Sequence, residues 1–294
     1  MVAANNLSDL ASVPTARTNL GLGTDNLPTI LPTLNLDFAN IPDLDSRLTY
    51  TRASTATYYD AFGVLQTAAV DTPRLDYDPS TGESLGILLE EQRTNLLTYS
   101  EQFDNAAWGK TNVSVTPNAI AAPDGTTSAD LVYELTGSGG KAITINLTAS
   151  SSTDYTSSVY AKAGTRSVLG LRADGAGVES SGSISYFDLS SGTVQISAGH
   201  TSATIEDAGG GWYRCSITES SSVAGGDYQL RIHICQSVGT QIYTGDGTSG
   251  IYLWGAQLEA GSFATSYIKT EASQVTWSAD DLSITGTNFS DFYN

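Results

Sequence analysis

The chain has 294 residues, and its 31 acidic and 13 basic side chains give a formal net charge of −18 at pH 7. Only 15% of the residues are charged, while 29 are glycine and 15 are tyrosine, a composition that favours short strands and turns over helix bundles. The scarcity of Lys and Arg excludes a nucleic-acid partner held by phosphate neutralisation, and no apolar run is long enough to predict membrane insertion.

Residues 1–33 differ from the rest of the chain and predict a short helical or extended arm. Asn5 and Asn6 are capping residues that precede the apolar Leu7. Further along, Pro14 is suited to begin a helix and Gly21 to end it. A segment this short cannot bury its apolar side chains by itself. It either packs on its own domain or serves as a docking or oligomerisation arm, for which the candidate residues are Leu7, Leu10, Leu20 and Leu22.

Residues 34–100 predict a small β region. Strands are expected at residues 47–52 and 57–59, and the latter ends in a turn at residues 60–63. Another strand is expected at residues 75–77, before a turn at residues 78–82, and no helix of useful length fits.

Residues 101–270 predict a β-sandwich of the jelly-roll type. Turn signals recur every eight to twelve residues or so, which is typical of an antiparallel all-β sandwich, and the absence of interleaved helices excludes a parallel α/β sheet. Gly137–Gly140 is expected to be a hairpin turn. Residues 271–294 are either a C-terminal strand segment or the start of a further module. Strands are predicted at residues 112–117, 128–135, 141–147, 155–162, 167–174, 183–189, 193–196, 203–207, 211–220, 227–235, 241–244 and 251–259.

The two cysteines are predicted to be free thiols. Cys215 is in phase with Ile217, whereas Cys235 is out of phase with Ile234, so the strand pattern gives no reason to pair them. The N-terminus lacks the basic and apolar segments of a secretory signal. Synthesis in a reducing cytoplasm is therefore expected.

The sequence contains little that indicates catalysis. It has two histidines and lacks the spacing of a zinc site, a nucleophile elbow or a P-loop. The acidic pairs Glu90–Glu91 and Glu206–Asp207 point to opposite faces of a strand, so they are poor acid–base partners, although acids from different strands remain open. We therefore expect no catalytic residues and no enzyme activity.

Two oxygen-rich turns are the only candidates for a cofactor. Asp124 and Asp246 each begin an Asp-Gly-Thr sequence, and loops of β-sandwiches supply such oxygens to structural calcium. Neither turn has the spaced acidic residues of an EF-hand, so ordinary Asp-Gly turns are the alternative. No other metal or cofactor is expected.

The aromatic residues predict where a sugar ring would stack. Trp108, beside Gly109, is expected to be exposed at the edge of the sandwich, and the adjacent Tyr58 and Tyr59 are the other candidates. Trp212 and Trp254 lie in apolar strand patterns and are expected in the core. Trp277, which lies outside the predicted sandwich, is also an aromatic candidate.

Three passages resemble proteins of tailed bacteriophages. The sequence NNLSDLAS followed by ARTNLGLG in the N-terminal arm resembles a segment of many tail fibres. RASTAT at residues 52–57 and EEQRTNLL at residues 90–97 resemble the head-spike fibre family. GWYR at residues 211–214 and LWGAQLE at residues 253–259 are similar to the carbohydrate-binding-like β-sandwich that follows in such proteins.

The resemblance implies a virion structural protein, usually a homotrimer, anchored to capsid or tail proteins by its N-terminal arm with β modules projecting outward. It implies no catalytic motif. The alternatives are an adhesin that binds a host surface glycan and, third, a polysaccharide depolymerase.

Overall fold

The computed structural model describes residues 36–40, 44–148, 153–175, 178, 182–220 and 226–290. The predicted arm, with Leu7, Leu10, Leu20 and Leu22, lies outside these residues. In the described part of the chain the fold is all-β and antiparallel, as the sequence predicts, with one four-residue helix, α1, at Thr287–Ser290. No helix in this part is long and apolar enough to cross a membrane.

The small β region consists of eight short strands, six from residues 44–100 and two from the C-terminal segment. The strands are β1 (Thr49–Thr51), β2 (Ala56–Tyr59), β3 (Leu65–Ala68), β4 (Leu75–Tyr77), β5 (Ser84–Ile87), β6 (Arg93–Asn95), β21 (Val275–Trp277) and β22 (Asp281–Ser283). They form four two-stranded antiparallel sheets, in which β1 pairs with β22, β2 with β3, β4 with β5 and β6 with β21.

The sandwich follows in fourteen strands between residues 109 and 260. They are β7 (Gly109–Thr111), β8 (Val113–Ala121), β9 (Thr127–Glu134), β10 (Gly137–Gly140), β11 (Ala142–Thr148), β12 (Asp154–Ala163), β13 (Val168–Asp174), β14 (Ser185–Asp188), β15 (Thr193–Gln195), β16 (Ser202–Asp207), β17 (Trp212–Ser220), β18 (Asp227–Cys235), β19 (Ile242–Gly245) and β20 (Gly250–Ala260).

Twelve of these strands form two six-stranded sheets in the order of a jelly roll, while β10 and β19 pair separately as a two-stranded sheet. Sheet 1 runs β15-β14-β13-β18-β11-β7, and sheet 2 runs β16-β17-β12-β20-β9-β8. When β9, β11, β12, β13, β14, β17, β18 and β20 are counted as strands one to eight, sheet 2 contains the order 1-8-3-6 and sheet 1 the order 2-7-4-5. The predicted sandwich is confirmed.

The main core lies between the two sheets and comes from alternate residues of their strands. Ile143 of β11 and Leu169 of β13 meet Ile217 of β17 and Leu258 of β20 in one buried cluster. The two cysteines lie in different sheets, Cys215 in β17 and Cys235 in β18, and both are buried and free. The prediction of two free thiols is confirmed.

A second, smaller core covers the outer face of sheet 2. Tyr160, Trp254 and Trp212 project from the sheet and pack with Leu65 and Tyr267 of the segments beside it. The small β region therefore lies on the sandwich rather than beyond it, and clefts form where the two parts meet.

Strands β21 and β22 return to the small β region. β22 pairs with β1 in the register Tyr50↔Leu282, and β21 pairs with β6 in the register Thr94↔Thr276. The described part of residues 271–294 is thus a strand segment that completes two sheets begun more than 180 residues earlier.

Gly137–Gly140 is a strand, so the turn predicted there is wrong. It pairs along its whole length with β19. The fully buried Lys141 explains its extended form, because its Nζ donates to the carbonyl oxygens of Gly137 and Gly139 at 2.9 and 3.0 Å. A buried ammonium group needs such acceptors, and an isolated turn would not supply them.

Candidate functional site

Trp108 is buried, and the prediction that it is exposed is wrong. Its ring packs on Phe103 at a centroid distance of 5.0 Å, and its Nε1 donates to the carbonyl oxygen of Tyr99 at 3.0 Å. Only 1% of its surface is accessible. Gly109 does begin an edge strand, but the turn before it folds Trp108 into the main core.

Tyr58 and Tyr59 alternate across β2 and have different surroundings. The Tyr59 hydroxyl lies 3.2 Å from the Tyr160 hydroxyl, and burial raises the pKa of Tyr59 well above its usual value. Tyr59 and Tyr160 line a cleft beside sheet 2. Tyr58 lines neither this cleft nor a second one between the β2–β3 hairpin and sheet 2. A stacking role for the pair stays a prediction.

The carboxylates of Asp124 and Asp246 are used within their own turns. Asp124 Oδ1 accepts from the backbone N and the hydroxyl of Thr126, at 2.9 and 2.7 Å. Asp246 accepts from Thr248 and Ser249 in the same way. Hydrogen bonds from Ser249 lower the pKa of Asp246 strongly. Both sequences are therefore explained as hydrogen-bonded turns, and calcium binding there stays a prediction.

The described residues include no group of three or more His, Cys, Asp and Glu side chains placed to hold a metal ion. Glu90 and Glu91 lie between β5 and β6, outside any strand, and have different partners. Glu90 accepts from Arg74 at 2.8 Å, and Glu91 pairs with Arg93 at 2.5 Å. Glu206 and Asp207, at the end of β16, both line one cleft beside sheet 2.

An aromatic cleft of about 290 Å³ lies between the β2–β3 hairpin and the outer face of sheet 2. Trp254 and Tyr267 form buried walls, with ring centroids 4.6 Å apart. The indole of Trp277, at the end of β21, is half-buried and lines the same cleft. The remaining lining residues are Thr55, Thr57, Leu65, Thr67, Glu101, Asp124, Lys269 and Val275.

Charged groups form the polar side of the aromatic cleft. Lys269 Nζ lies 2.6 Å from Glu101 Oε2, and the Tyr267 hydroxyl donates to Glu101 Oε1 at 3.0 Å. Burial raises the pKa of Glu101, and Lys269 counteracts this increase only in part. The carboxylate is thus fixed while the half-exposed ammonium group keeps donors for a ligand.

The chemistry of the aromatic cleft suits a carbohydrate. A half-exposed indole offers an apolar face to the C–H groups of a sugar ring, while the carboxylate, the ammonium group and the threonine hydroxyls can exchange hydrogen bonds with its hydroxyls. The cleft brings Asp124 close to Trp277 and excludes Trp108. Trp277 was recognisable as an aromatic residue in a short strand, but its exposure depends on the return of β21 to β6.

No family model matches the sequence, and no curated protein matches it. Among solved structures, the enzymatically active domain of tailspike protein 4 from bacteriophage CBA120 is 14% identical, with a TM-score of 0.32, over 57% of this chain and 21% of that one. The CBM22-1 and GH10 modules of a Clostridium thermocellum endo-1,4-β-D-xylanase, complexed with xylohexaose, are 15% identical, with a TM-score of 0.34, over 61% and 30%.

A carbohydrate-binding module of the β-sandwich superfamily, described as promiscuous in specificity, is 10% identical to this chain. Its TM-score is 0.29, and the similarity covers 70% of this chain and 84% of that one. The chain spans less than a third of the length of the tailspike and xylanase chains.

Proposed function

We propose that this chain is a structural module of a tailed-phage fibre or spike and that it contacts host surface glycans. In this proposal it resides in the virion as a homotrimer, and the arm at residues 1–33 docks on capsid or tail proteins. The β modules project outward and act by attachment, without turnover of the glycan.

The aromatic cleft is the observation that carries the glycan-binding part of the proposal. It combines the half-exposed indole of Trp277 with the fixed Glu101–Lys269 pair and with threonine hydroxyls in about 290 Å³. Small-ligand sites commonly have this combination of an apolar surface and a few placed polar groups.

The positions of the phage-like motifs support the structural part. Arg52, the first residue of RASTAT, is buried and hydrogen-bonded to Ser54 and Ala69 within the small β region. Asn95, from EEQRTNLL, donates to the carbonyl oxygens of Ala256 and Ile268. The first motif therefore stabilises the small β region from within, and the second joins that region to β20 of the sandwich.

Glycan binding is tested on an array of bacterial surface polysaccharides. We expect Trp277→Ala to weaken binding at least about tenfold, because an aromatic side chain that a bound sugar ring covers contributes on the order of 2 kcal/mol. Phe62→Ala is the matched control, since Phe62 is an exposed aromatic residue in the turn after β2. Equal loss in both variants, or no binding by the unaltered chain, contradicts the proposal.

The virion role has a separate test. Deleting residues 1–33 should leave a folded protein that no longer enters phage particles, and normal incorporation of the shortened chain contradicts docking through the arm. Incubating the protein with the bound polysaccharide tests the depolymerase alternative, because attachment without turnover leaves the chain length of the polymer unchanged.

A further inference from the structure

We propose a second glycan subsite, a hydroxyl groove along β16 and β17 that takes a linear, uncharged polysaccharide chain. The hydroxyl groove is defined by Ser202, Thr204 and Glu206 of β16 and by Arg214, Ser216 and Thr218 of β17. This inference deepens the proposed function and rests on it.

The register of sheet 2 places these polar side chains in rows. Ser202 lies opposite Thr218, Thr204 opposite Ser216, and Glu206 opposite Arg214. Thr204 and Ser216 are linked through their hydroxyls at 2.7 Å. Because a hydroxyl has one donor and two acceptor positions, linked hydroxyls keep capacity for a ligand.

Strand β12 extends the rows on the other side of β17. Thr156 and Ser158 pair with Thr218 and Ser216, and the Thr156 and Thr218 hydroxyls lie 2.9 Å apart. The outer face of a sheet that is otherwise covered by an aromatic core is therefore made of hydroxyls at this edge. Thr156, Ser158 and Thr218 are buried, and the carbonyl oxygens of residues 261 and 262 accept from Thr156 and Thr218. The groove therefore opens to solvent along β16, where Thr204 is exposed.

Arg214 is the residue that most needs a ligand. Its guanidinium lies over the Tyr160 ring at 5.4 Å, and Nη2 donates to Ser158 Oγ at 3.1 Å. Its Nε is buried and has no hydrogen-bond partner among the described residues. Glu206 lies directly opposite Arg214 in the strand register. An acceptor and a donor thus stand side by side, which suits the neighbouring hydroxyls of a sugar.

The hydroxyl groove is long enough for a chain rather than a terminal sugar. From the Thr218 row to the Arg214 row, the strand rise of about 3.3 Å per residue gives roughly 13 Å. At the Arg214 end the groove opens into a cleft of about 420 Å³ walled by Tyr59, Tyr77 and Leu85. At the other end lies Phe263, which is 54% exposed. Apolar surfaces for stacking therefore stand at both ends of a polar floor.

Charge selects the class of polymer. Asp76, Asp78, Glu206 and Asp207 line the cleft against the single cation Arg214, and the whole chain carries −18. Polyanionic glycans are repelled by such a surface, so the expected ligand is neutral.

The test uses the same array, printed with neutral and acidic linear bacterial polysaccharides, followed by size-fractionated hydrolysates of the neutral polymer that binds best. For the full chain, the Kd should fall about tenfold or more from disaccharide to hexasaccharide, because successive rings add contacts along the groove. Thr204→Val and Glu206→Gln should each weaken hexasaccharide binding about threefold to tenfold, the effect of one lost hydrogen bond. Thr116→Val, an exposed threonine on β8 at the far edge of sheet 2, is the control.

The outcomes separate this inference from the proposed function. If Trp277→Ala abolishes binding while both groove variants and chain length have no effect, the hydroxyl groove is not a subsite and the proposed function stands. If acidic polymers bind better than neutral ones, the assignment of the groove is wrong. If no polysaccharide binds the full chain, both proposals fall.

Discussion

Asp280 lies between two buried arginines and is held by both. Its Oδ1 is 3.1 Å from Arg52 Nη1, and its Oδ2 pairs with Arg74, with none of the Asp280 side chain exposed. Hydrogen bonds from Tyr50 and the Glu90 N–H, with the two cations, overcome the effect of burial and lower the pKa of Asp280. One carboxylate from the C-terminal segment, together with Glu90, thus balances the two arginines at the centre of the small β region.

We expect Asp280→Asn to reduce the free energy of unfolding by about 3–5 kcal/mol, because it leaves a buried arginine without its counter-charge. Asp281→Asn, at the next position and exposed, should change it by less than about 0.5 kcal/mol. Urea denaturation of the three proteins measures the difference. Equal stabilities would show that the buried pair contributes nothing.

Asn95 forms four hydrogen bonds, and two of them join the small β region to β20 of the sandwich. Its Nδ2 donates to the carbonyl oxygens of Ala256 and Ile268 at 3.1 and 2.8 Å, and its Oδ1 accepts from the N–H groups of Leu97 and Leu258 at 3.1 and 3.2 Å. Asn95→Ala leaves these buried backbone groups unsatisfied, at about 1–3 kcal/mol for each group that water does not reach.

The measurement for Asn95→Ala is the same denaturation series, with Asn146→Ala as the control. Asn146 is an asparagine of β11 whose bond to Gln229 is exposed. We expect a loss of at least about 3 kcal/mol at position 95 and less than about 1 kcal/mol at position 146. Similar losses at both positions would contradict a joining role for Asn95.

Strands were predictable where the alternation of side chains is local. The span predicted at residues 227–235 matches β18, because Tyr228, Leu230 and Ile232 face the core in strict alternation. Gly137–Gly140 carries no such pattern, and its strand depends on the distant β19 and on a buried lysine.

The site was less predictable because exposure is a tertiary property. Neither Trp108 nor Trp277 lies in a long apolar run of the sequence. In the fold, however, Trp108 is covered by Phe103, whereas Trp277 lines the aromatic cleft. The bond between Glu90 and Asp280 spans 190 residues. No local rule connects such positions.

Lys141 is expected to stabilise the β10–β19 pair through its charge. Its Nζ donates to three carbonyl oxygens, of Gly137, Gly139 and Tyr243, which lose their donor in Lys141→Met. We expect a loss of about 2–4 kcal/mol on thermal or urea unfolding. Lys162→Met, which removes one contact to the Gly210 carbonyl, is the comparison. A smaller loss at position 141 than at position 162 would contradict this role.

His233 should make the folded state sensitive to acid. Burial, together with the nearby charges of Arg172 and Arg231, lowers the pKa of His233 from 6.5 to about 4, and Asp174 offsets this only in part. Between these values the unfolded chain binds a proton that the folded chain does not, so stability rises with pH and is lost as the pH falls from about 6.5 to about 4. At about 1.36 kcal/mol per pKa unit the loss is at most about 3 kcal/mol.

The difference between wild type and His233→Gln isolates this effect. Its ring nitrogens are buried without hydrogen-bond partners among the described residues, so glutamine removes the titration without breaking a bond. Burial also lowers the pKa of His200. Because His200 is present in both proteins, its contribution to the pH dependence cancels in the difference between them. We expect the stability advantage of wild type at pH 7 to shrink, or reverse, at pH 4.5. Parallel curves of unfolding free energy against pH would mean that His233 is solvated or paired in the folded state, because a buried neutral imidazole must produce a slope in this range.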